Sequence, residues 1–591
     1  MSLFDQKKKY NDGSLESKLL SQINHNRLPS IRQFKYLKKF LSVKEKWILA
    51  ASLSVLVITS SLLLRGFWLN HLVVSPKNGG QYIEGTITPP SHINPLFFGL
   101  NSTDDDLVSL VYSSLWKRDN NGSLKADLVE SFKISDDQKI YTIKITDKAR
   151  FHSGKKLTTD DVIFTINTIK DPRFKSTWRR YFINVEAEKI SDTELKLSLK
   201  EPYAAFLEYL SFGILPKDLW QDISPNNISL AELNIKPVGS GPLKFQSLTK
   251  DKSGNLRSFN LTRNKDYYHE QTYLDTFSFK IFTSPEELVT SLNDNTVDSV
   301  SYLPSSYQKS ILAANAYNFN QLKQAQSLAI FFNLKKPELD KKLRQALDYA
   351  LDKKTIISKV YGNDAELATG PIANFAFAYQ TASNDYSFNP TKAKELLASA
   401  GWKEITIGSS TTTVLQKNGE NLKLELTTTS NPNELQVAEL IAQYWSAVGI
   451  QTSIVSEEKN TFFSRVIKPK NYSVLLYSII NPLNSDPYAF WHSSQSDDKG
   501  YNLSNLSSSK IDRLIEEARL DANTSKRIAN YSEFQKIIND EVPAIFLANQ
   551  NFVYIQSKKI KGFTTKIISS PEDRFDNINE WYLSEKKRLQ L

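Results

Sequence analysis

Trp47 to Leu64 is an unbroken run of eighteen residues without a charge. As a helix rising about 1.5 Å per residue it covers roughly 27 Å, close to a hydrocarbon core of about 30 Å. Gly66, Phe67, Trp68 and Leu69 extend it, Arg65 can snorkel, and Trp47, Phe67 and Trp68 stand where interfacial aromatics belong. An uncleaved anchor, a cleaved signal peptide and a buried core helix all begin with such a run. Here 46 residues precede it and it ends in LLLRGFWLN, without small residues at a cleavage site, so the anchor reading leads.

Beyond a short linker, the pattern changes to alternating strand and helix periods. Tyr141 to Ile145 and Glu194 to Leu199 alternate apolar and polar positions, as half-buried strands do. Thr158 and Asp161 form a capping box ahead of a helix reaching about Lys170. Asn389-Pro390 opens a helix that Gly401 stops. Asn431-Pro432 opens another, striped by Leu435, Ala438, Ile441, Trp445 and Val448, ended by Gly449 and followed by a strand over Ile450–Val455. Asp340–Asp352, Ile511–Leu520 and Lys526–Ile538 read as helices, and Val542–Leu547 as a buried strand. The sum is a mixed α/β chain without repeats or low-complexity tracts.

Charge sharpens the anchor reading and excludes one class. Residues 1–46 hold eleven Lys or Arg against four acids, a net +7, whereas residues 69–591 carry only +2 of the chain's total of +10. The basic excess therefore flanks the apolar run instead of forming a nucleic-acid-binding face. By the positive-inside rule the basic tail stays cytoplasmic and the chain beyond about residue 70 lies outside. With no cysteine, disulfides, thiolate metal sites and a lipidated-cysteine anchor are excluded.

Little in the sequence carries reaction chemistry. Its six histidines are scattered without metal-ligand spacing, and no GxSxG elbow occurs. Gly239-Ser-Gly-Pro242 lacks the GK[ST] of a phosphate loop. Acidic pairs such as Asp105-Asp106 and Asp160-Asp161 suit turns and caps better than paired catalytic carboxylates. Neither an enzyme nor a cofactor or metal protein is expected; a binding role is.

Fragments in order from about Gly85 to Lys558 then resemble one family. They are Ile93-Asn-Pro95, Leu128-Val-Glu-Ser-Phe132, Phe151-His-Ser-Gly-Lys155 through Asp161-Val162, Gly239-Ser-Gly-Pro242, Arg263-Asn264 with Tyr267-Tyr268, Phe332-Asn333, Arg344-Gln-Ala-Leu347, Lys392 to Leu397 with Ala400-Gly401, and Asp486-Pro487. The chain resembles the oligopeptide/dipeptide-binding family of ABC-transporter extracellular solute-binding proteins (family 5). The resemblance implies a two-lobed, periplasmic-binding-protein-like α/β fold with a hinge, here preceded by a single N-terminal transmembrane helix. It implies a cytoplasmic tail over 1–46, an anchor over 47–69, a linker over 70–84, a first lobe over 85–283 with a subdomain at about 118–238, a second lobe over 284–550 and a C-terminal return over 551–591. Hinges are expected near Phe282-Thr283 and Asn549–Asn551.

The implied function is capture of a peptide or other small solute and its delivery to the permease subunits of an ABC importer at the cell membrane, without a nucleic-acid partner. A membrane-anchored sensor and an envelope scaffold or chaperone are the alternatives on the same fold. Expected ligand-facing residues are Asn94, Phe97, Phe98, Ser240, Gly241, Tyr302, Phe332, Asn333, Asn481, Pro482, Leu483, Asn484, Asp486, Tyr488 and Trp491. Peptide-binding members hold the peptide's α-amino group with an aspartate three residues before the late acidic-Pro pair. Leu483 occupies that position, which opens the ligand class to sugars, siderophore-like compounds and blocked peptides. Asp486 is the alternative partner for an amino group.

Overall fold

The computed structural model describes residues 41–406, 413–481, 483–496, 500–521 and 523–589. It divides into a small unit, up to Ser75 together with the chain from Glu585, and a large unit, Pro76–Ser584. In the small unit one helix, Val43–His71, carries the apolar run. Its side chains are exposed, Trp47 at 75% and Leu63 at 70%, which removes the core-helix reading. Ser54 and Thr59 return their hydroxyls to the carbonyls of Ala50 and Val55, one turn earlier in the same helix. The stretch read as a linker forms strands instead: Leu72–Lys77 pairs with Ser584–Leu589, and Gln81–Thr86 enters the main sheet.

That sheet is the spine of the large unit. Its order runs from Gln451–Glu457 through Lys423–Thr429, Val474–Ile480, Tyr317–Phe332, Ala544–Ser557, Ser299–Val300, Gln81–Thr86, Thr276–Ile281 and Leu256–Arg263 to Leu243–Lys250. Two strands are much longer than the rest, Tyr317–Phe332 with 16 residues and Ala544–Ser557 with 14. They pair antiparallel along their length, and their register shifts between Lys323 and Gln326. Before the shift Leu322 and Tyr554 enter the first core, with Tyr82, Phe277 and Trp581. After it Leu328 and Ile330, with Ile545 and Leu547, enter the second. These two strands therefore join the two lobes, and they cross at 323–326 and 549–551. The segment after Phe282-Thr283 stays on the first side of that crossing, where Leu288, Leu292 and Val300 pack with Ile83 and Ile555.

Strand alternation builds the second lobe as three layers. Leu328, Ile330 and Phe332 point to helices Lys341–Tyr349, Pro390–Ser399 and Pro432–Ser446. Their neighbours Ala329 and Phe331 point to the opposite layer, with helices Ser509–Leu520 and Thr524–Glu541. The helix Pro432–Ser446 shows why these elements form where they do. Asn431 caps it through the amides of Asn433 and Glu434, proline occupies the first turn, and Val437, Ala438, Ile441 and Trp445 are buried. In the first lobe a four-stranded antiparallel sheet, Val129–Ile134, Ile140–Ile145, Glu194–Leu199 and Val185–Lys189, forms a subdomain with the helix Thr159–Lys170.

Candidate functional site: the cleft between the lobes

A cleft of about 1070 Å³ lies between the lobes. The first lobe supplies Phe98 to Leu100, one face of the helix Ser102–Val111, the strand Trp116–Arg118, subdomain segments around Trp178 and Tyr203–Tyr209, and the turn Pro571–Phe575. The second lobe supplies Phe463, the end of the strand Val474–Ile480, Asn481, Asn484, Asp486, Tyr488 to Phe490, Tyr501 and Arg519.

Aromatic rings line the subdomain wall in sequence. Phe98 meets Trp178 at 5.0 Å between centroids, Trp178 meets Tyr181 at 6.3 Å, and Tyr181 stacks on Tyr209 at 3.8 Å. Tyr203 continues the row 5.6 Å from Tyr209. Across the cleft the Arg519 guanidinium sits between the rings of Tyr203 (4.6 Å) and Tyr488 (4.2 Å). Its Nε lies 3.1 Å from the Asp486 carboxylate, which also accepts from the Tyr203 hydroxyl at 2.7 Å. The amide of Ala204 donates to the Arg519 carbonyl at 2.8 Å. Five residues, Tyr203, Ala204, Asp486, Tyr488 and Arg519, thus clasp the subdomain to the second lobe at one end of the cleft. Burial works against the Arg519 charge, but Asp486 and the tyrosines more than offset it and raise its pKa. Burial, then the Asp486 charge, holds the Tyr203 phenol well above the ordinary range.

The charges in the cleft are unevenly balanced. Lys117 lies 3.7 Å from Asp127, and Arg118 pairs with Glu208. Asp573 accepts from the amides of Ser569 and Ser570, and Asp576 from that of Arg118. Burial raises both carboxyls, Asp576 the more strongly, with Asp573 adding like charge. Among the described residues Asp105 accepts from the Gly99 amide alone, at 3.0 and 3.1 Å, and burial reinforced by Asp106 and Asp104 pushes it up to about 7. Glu572 accepts from Ser570, and burial, then Asp573 and Asp105, raises it well above the carboxylate range.

Of the residues expected from sequence, Phe98, Asn481, Asn484, Asp486 and Tyr488 line the cleft. The others stand in the surrounding structure. Asn94 caps a 3-10 turn through the Leu96 amide and bonds Asn234. Phe97 packs on the first core and Trp491 lies inside the third. Tyr302 approaches Asp106, and Phe332 is a core residue of the second lobe. Asn333 ties Tyr472 to Asn505. Ser240 and Gly241 belong to a loop pressed on the helix Ser102–Val111, where a Cβ on Gly239 would lie 2.0 Å from the Val111 carbonyl oxygen. His152, held neutral by a burial that lowers its pKa to about 4, grips that loop with Nδ1 toward the Gly239 amide and Nε2 toward the Gly241 carbonyl. The two most recognisable motifs of the chain therefore pack on each other and build the wall from behind.

Leu483 is buried with Ala325 and Ala373 in a small apolar cluster, against Ile567, and lies 3.0 Å from the position of a Gly122 Cβ. It seals contact between segments of the two lobes and does not line the cleft. Pro482 lies outside the described residues. The aromatics Trp178, Tyr181, Tyr203 and Tyr209, with Arg519 and Glu572, carry no motif in the sequence, and Asp105 reads there only as half of an acidic pair suited to a turn or cap. Their one local signal is the density of rings in TWRRYF and EPYAAFLEYL.

Comparison with known proteins agrees with this architecture. Residues 123–502 match bacterial extracellular solute-binding proteins, family 5 (middle). The oligopeptide-binding protein AppA of Bacillus subtilis is 29% identical over 526 residues, covering 86% of this chain and 92% of AppA. The structure of AppA with a nonapeptide superposes with a TM-score of 0.70, covering 86% of this chain and all of that one at 27% identity. NikZ of Campylobacter jejuni, solved with Ni(L-His), gives 0.71 at 27% identity over 85% of this chain and 99% of its own. CtaP of Listeria monocytogenes gives 0.75 at 26% identity over 86% of this chain and all of its own. Two lobes around an aromatic cleft, joined by two continuous strands, and a match across well over half its length place this chain in the family 5 bacterial extracellular solute-binding proteins.

Proposed function

We propose that this protein captures a short peptide, or a solute of similar size, in the interlobe cleft and hands it to the permease of an ABC importer. The carrying observation is the cleft itself, about 1070 Å³ between two lobes and lined by rings and hydrogen-bonding groups. That volume is at the top of the roughly 300–1,000 Å³ range of small-molecule sites. A cleft left open by its own side chains gives no support to a scaffold that has lost its ligand. The two joining strands suit hinge closure, with the lobe boundary at 323–326 and 549–551. Binding, with no chemical conversion, is the activity proposed.

The helix Val43–His71 is proposed as an uncleaved membrane anchor that keeps the binding unit outside the cell and the basic tail inside. Its exposed apolar surface and the folded strand pair immediately behind it support this reading. Relatives differ in what they carry: a nonapeptide occupies AppA and Ni(L-His) occupies NikZ. Leu483, packed among alanines, gives this chain no carboxylate at the position expected to hold a peptide amine.

The test is thermal melting of the stripped full-length protein in lipid nanodiscs, with peptides, oligosaccharides and metal–amino-acid complexes offered separately. A ligand at a hundredfold excess over its Kd adds about 2.7 kcal/mol to stability. A shift with one class supports solute capture and names the class; no shift with any class refutes it. N-terminal sequencing of the membrane-bound protein checks the anchor, which predicts an intact start and not a cleaved one.

A further inference from the structure

The strand pair behind the membrane helix gains little cover from the protein. The helix Val43–His71 passes into the strand Leu72–Lys77 with no residue between them. That strand pairs with Ser584–Leu589, and the Ser75 hydroxyl donates to the Lys586 carbonyl at 3.4 Å, across a separation of 511 residues. A Cβ on Gly80 would lie 2.6 Å from a methyl carbon of Leu583. One strand ascends as the other descends, so they run antiparallel and residues 588–589 return toward the helix end. Two strands without a third are at best marginally stable in water. Here Val74 is 52% exposed, and Lys77, Glu585, Lys586 and Lys587 are exposed as well.

The exposed ribbon is also basic. Lys586, Lys587 and Arg588 follow one another, Lys77 stands on the partner strand, and Glu585 is the single acid in the two strands. Among the described residues no carboxylate pairs with Lys77, Lys586 or Lys587. Lys586 and Lys587 are strand neighbours, so cations stand on both faces of the ribbon. Helix length sets the level of this charge. At about 1.5 Å per residue the 29-residue helix is about 43 Å long. A bilayer with its headgroups is about 40–45 Å thick. With Lys44 and Lys46 at the inner face, the helix is used up in crossing, and the ribbon begins among the outer headgroups.

We propose that the strands Leu72–Lys77 and Ser584–Leu589 form a lipid-binding clip, in which Lys77, Lys586, Lys587 and Arg588 hold the phosphates of anionic lipids in the outer leaflet. The assignment rests on the anchor reading of Val43–His71. Lipid supplies what the two strands lack: anions for the cations and an interfacial surface for the apolar start Leu72-Val73-Val74. The clip gives the chain a second hold on the membrane, through the strand from Ser584, besides the helix.

The test is amide hydrogen exchange of the full-length protein in nanodiscs, read on peptides covering 72–77 and 584–589. One set of discs is phosphatidylcholine alone, and the other is equal parts phosphatidylcholine and phosphatidylglycerol. Each Lys or Arg near an anionic surface contributes about fivefold, so the anionic discs slow exchange in both segments by about 10- to 100-fold. High salt removes the difference. The variant Lys586→Gln/Lys587→Gln/Arg588→Gln exchanges in anionic discs as wild type does in neutral ones, whereas a purely structural role for the basic run would change exchange equally in both. Equal exchange of wild type in the two discs overturns the clip and leaves the anchor standing. Failure of the full-length protein to enter discs of either composition overturns both. The same slowing on adding glycerol phosphate to neutral discs overturns the lipid assignment in favour of a free anion. The lipid comparison uses unaltered protein and decides the matter even if the triple variant does not fold.

Discussion

Tyr203→Phe removes a single oxygen from the clasp that spans the cleft. That hydroxyl stands 2.7 Å from the Asp486 carboxylate in the other lobe, and Asp486 is only 7% exposed. A hydrogen bond to a charged group contributes about 1.5–3 kcal/mol. Arg519 stays beside Asp486, so the carboxylate keeps its countercharge and the loss belongs at the lower end, about 1.5 kcal/mol. The Ala204 amide still reaches the Arg519 carbonyl, so the clasp weakens but does not vanish. At about 1.4 kcal/mol per factor of ten, the ratio of closed to open protein falls roughly tenfold. If closure is needed for tight binding, the apparent Kd of any cleft ligand rises by up to the same factor. Small-angle X-ray scattering with and without solute reads the closure, and calorimetry reads the affinity. Tyr209→Phe, which removes a hydroxyl 3.0 Å from the same oxygen but makes no bond across the cleft, is the control and has a smaller effect. An unchanged radius of gyration and an affinity within twofold for Tyr203→Phe would refute the idea that this contact holds the lobes together.

Other outcomes follow from buried groups in and behind the cleft walls. Arg574 is fully buried and grips Asp106 with both terminal nitrogens at 2.6 Å while reaching Glu84 at 3.2 Å; Arg574→Leu strands two carboxylates and costs about 3–5 kcal/mol in denaturant unfolding. Gly239→Ala forces a methyl to within 2.0 Å of the Val111 carbonyl oxygen and lowers stability by about 1–3 kcal/mol or more, seen as a fall in Tm. Asp105, with its pKa raised to about 7, favours the protonated folded state. Its stabilising effect is full below the ordinary aspartate range and is lost as pH rises through about 7. Asp104, Asp106, Glu572 and the Gly99 amide are the groups that face it. The Tm advantage of ligand-free Asp105→Asn over wild type therefore grows between pH 4 and 8, whereas an advantage constant with pH would refute this.

Local signals made much of the second lobe legible. The Asn-Pro start of the helix Pro432–Ser446 and its apolar stripe are self-contained, and helix and stripe fall where those signals place them. The strand near Val542 illustrates the opposite case. Val542 itself adopts a left-handed conformation at the end of the preceding helix, and the strand begins at Ala544. It runs ten residues beyond Leu547, through polar Asn549, Gln550, Asn551 and Gln556, because its partner Tyr317–Phe332 satisfies its backbone along the whole length. A buried Gln556 held by Tyr82 is invisible to a hydrophobic pattern, since the tyrosine is 474 residues away in the chain.

The cleft divides in the same way. Asn481, Asn484, Asp486 and Tyr488 come from one short segment and were legible together. Trp178, Tyr203, Arg519 and Glu572 meet there only because the subdomain, a second-lobe helix and the C-terminal return bring them in. Ser240, Gly241 and Asn333 belong to strong motifs, but those motifs build the walls. Motif strength reflected packing demands, such as the His152 grip on the glycine loop, more than ligand contact.

The central claim is that the interlobe cleft holds a small solute. Native mass spectrometry of the full-length protein, released from the membrane in which it was made, tests this most directly, with Asn481→Ala and Trp178→Ala prepared in parallel. The account predicts one solute per wild-type chain, freed on denaturation and depleted in both variants. A wild-type chain at its bare polypeptide mass that takes up nothing from a cell extract, or a bound solute untouched by both substitutions, would contradict it.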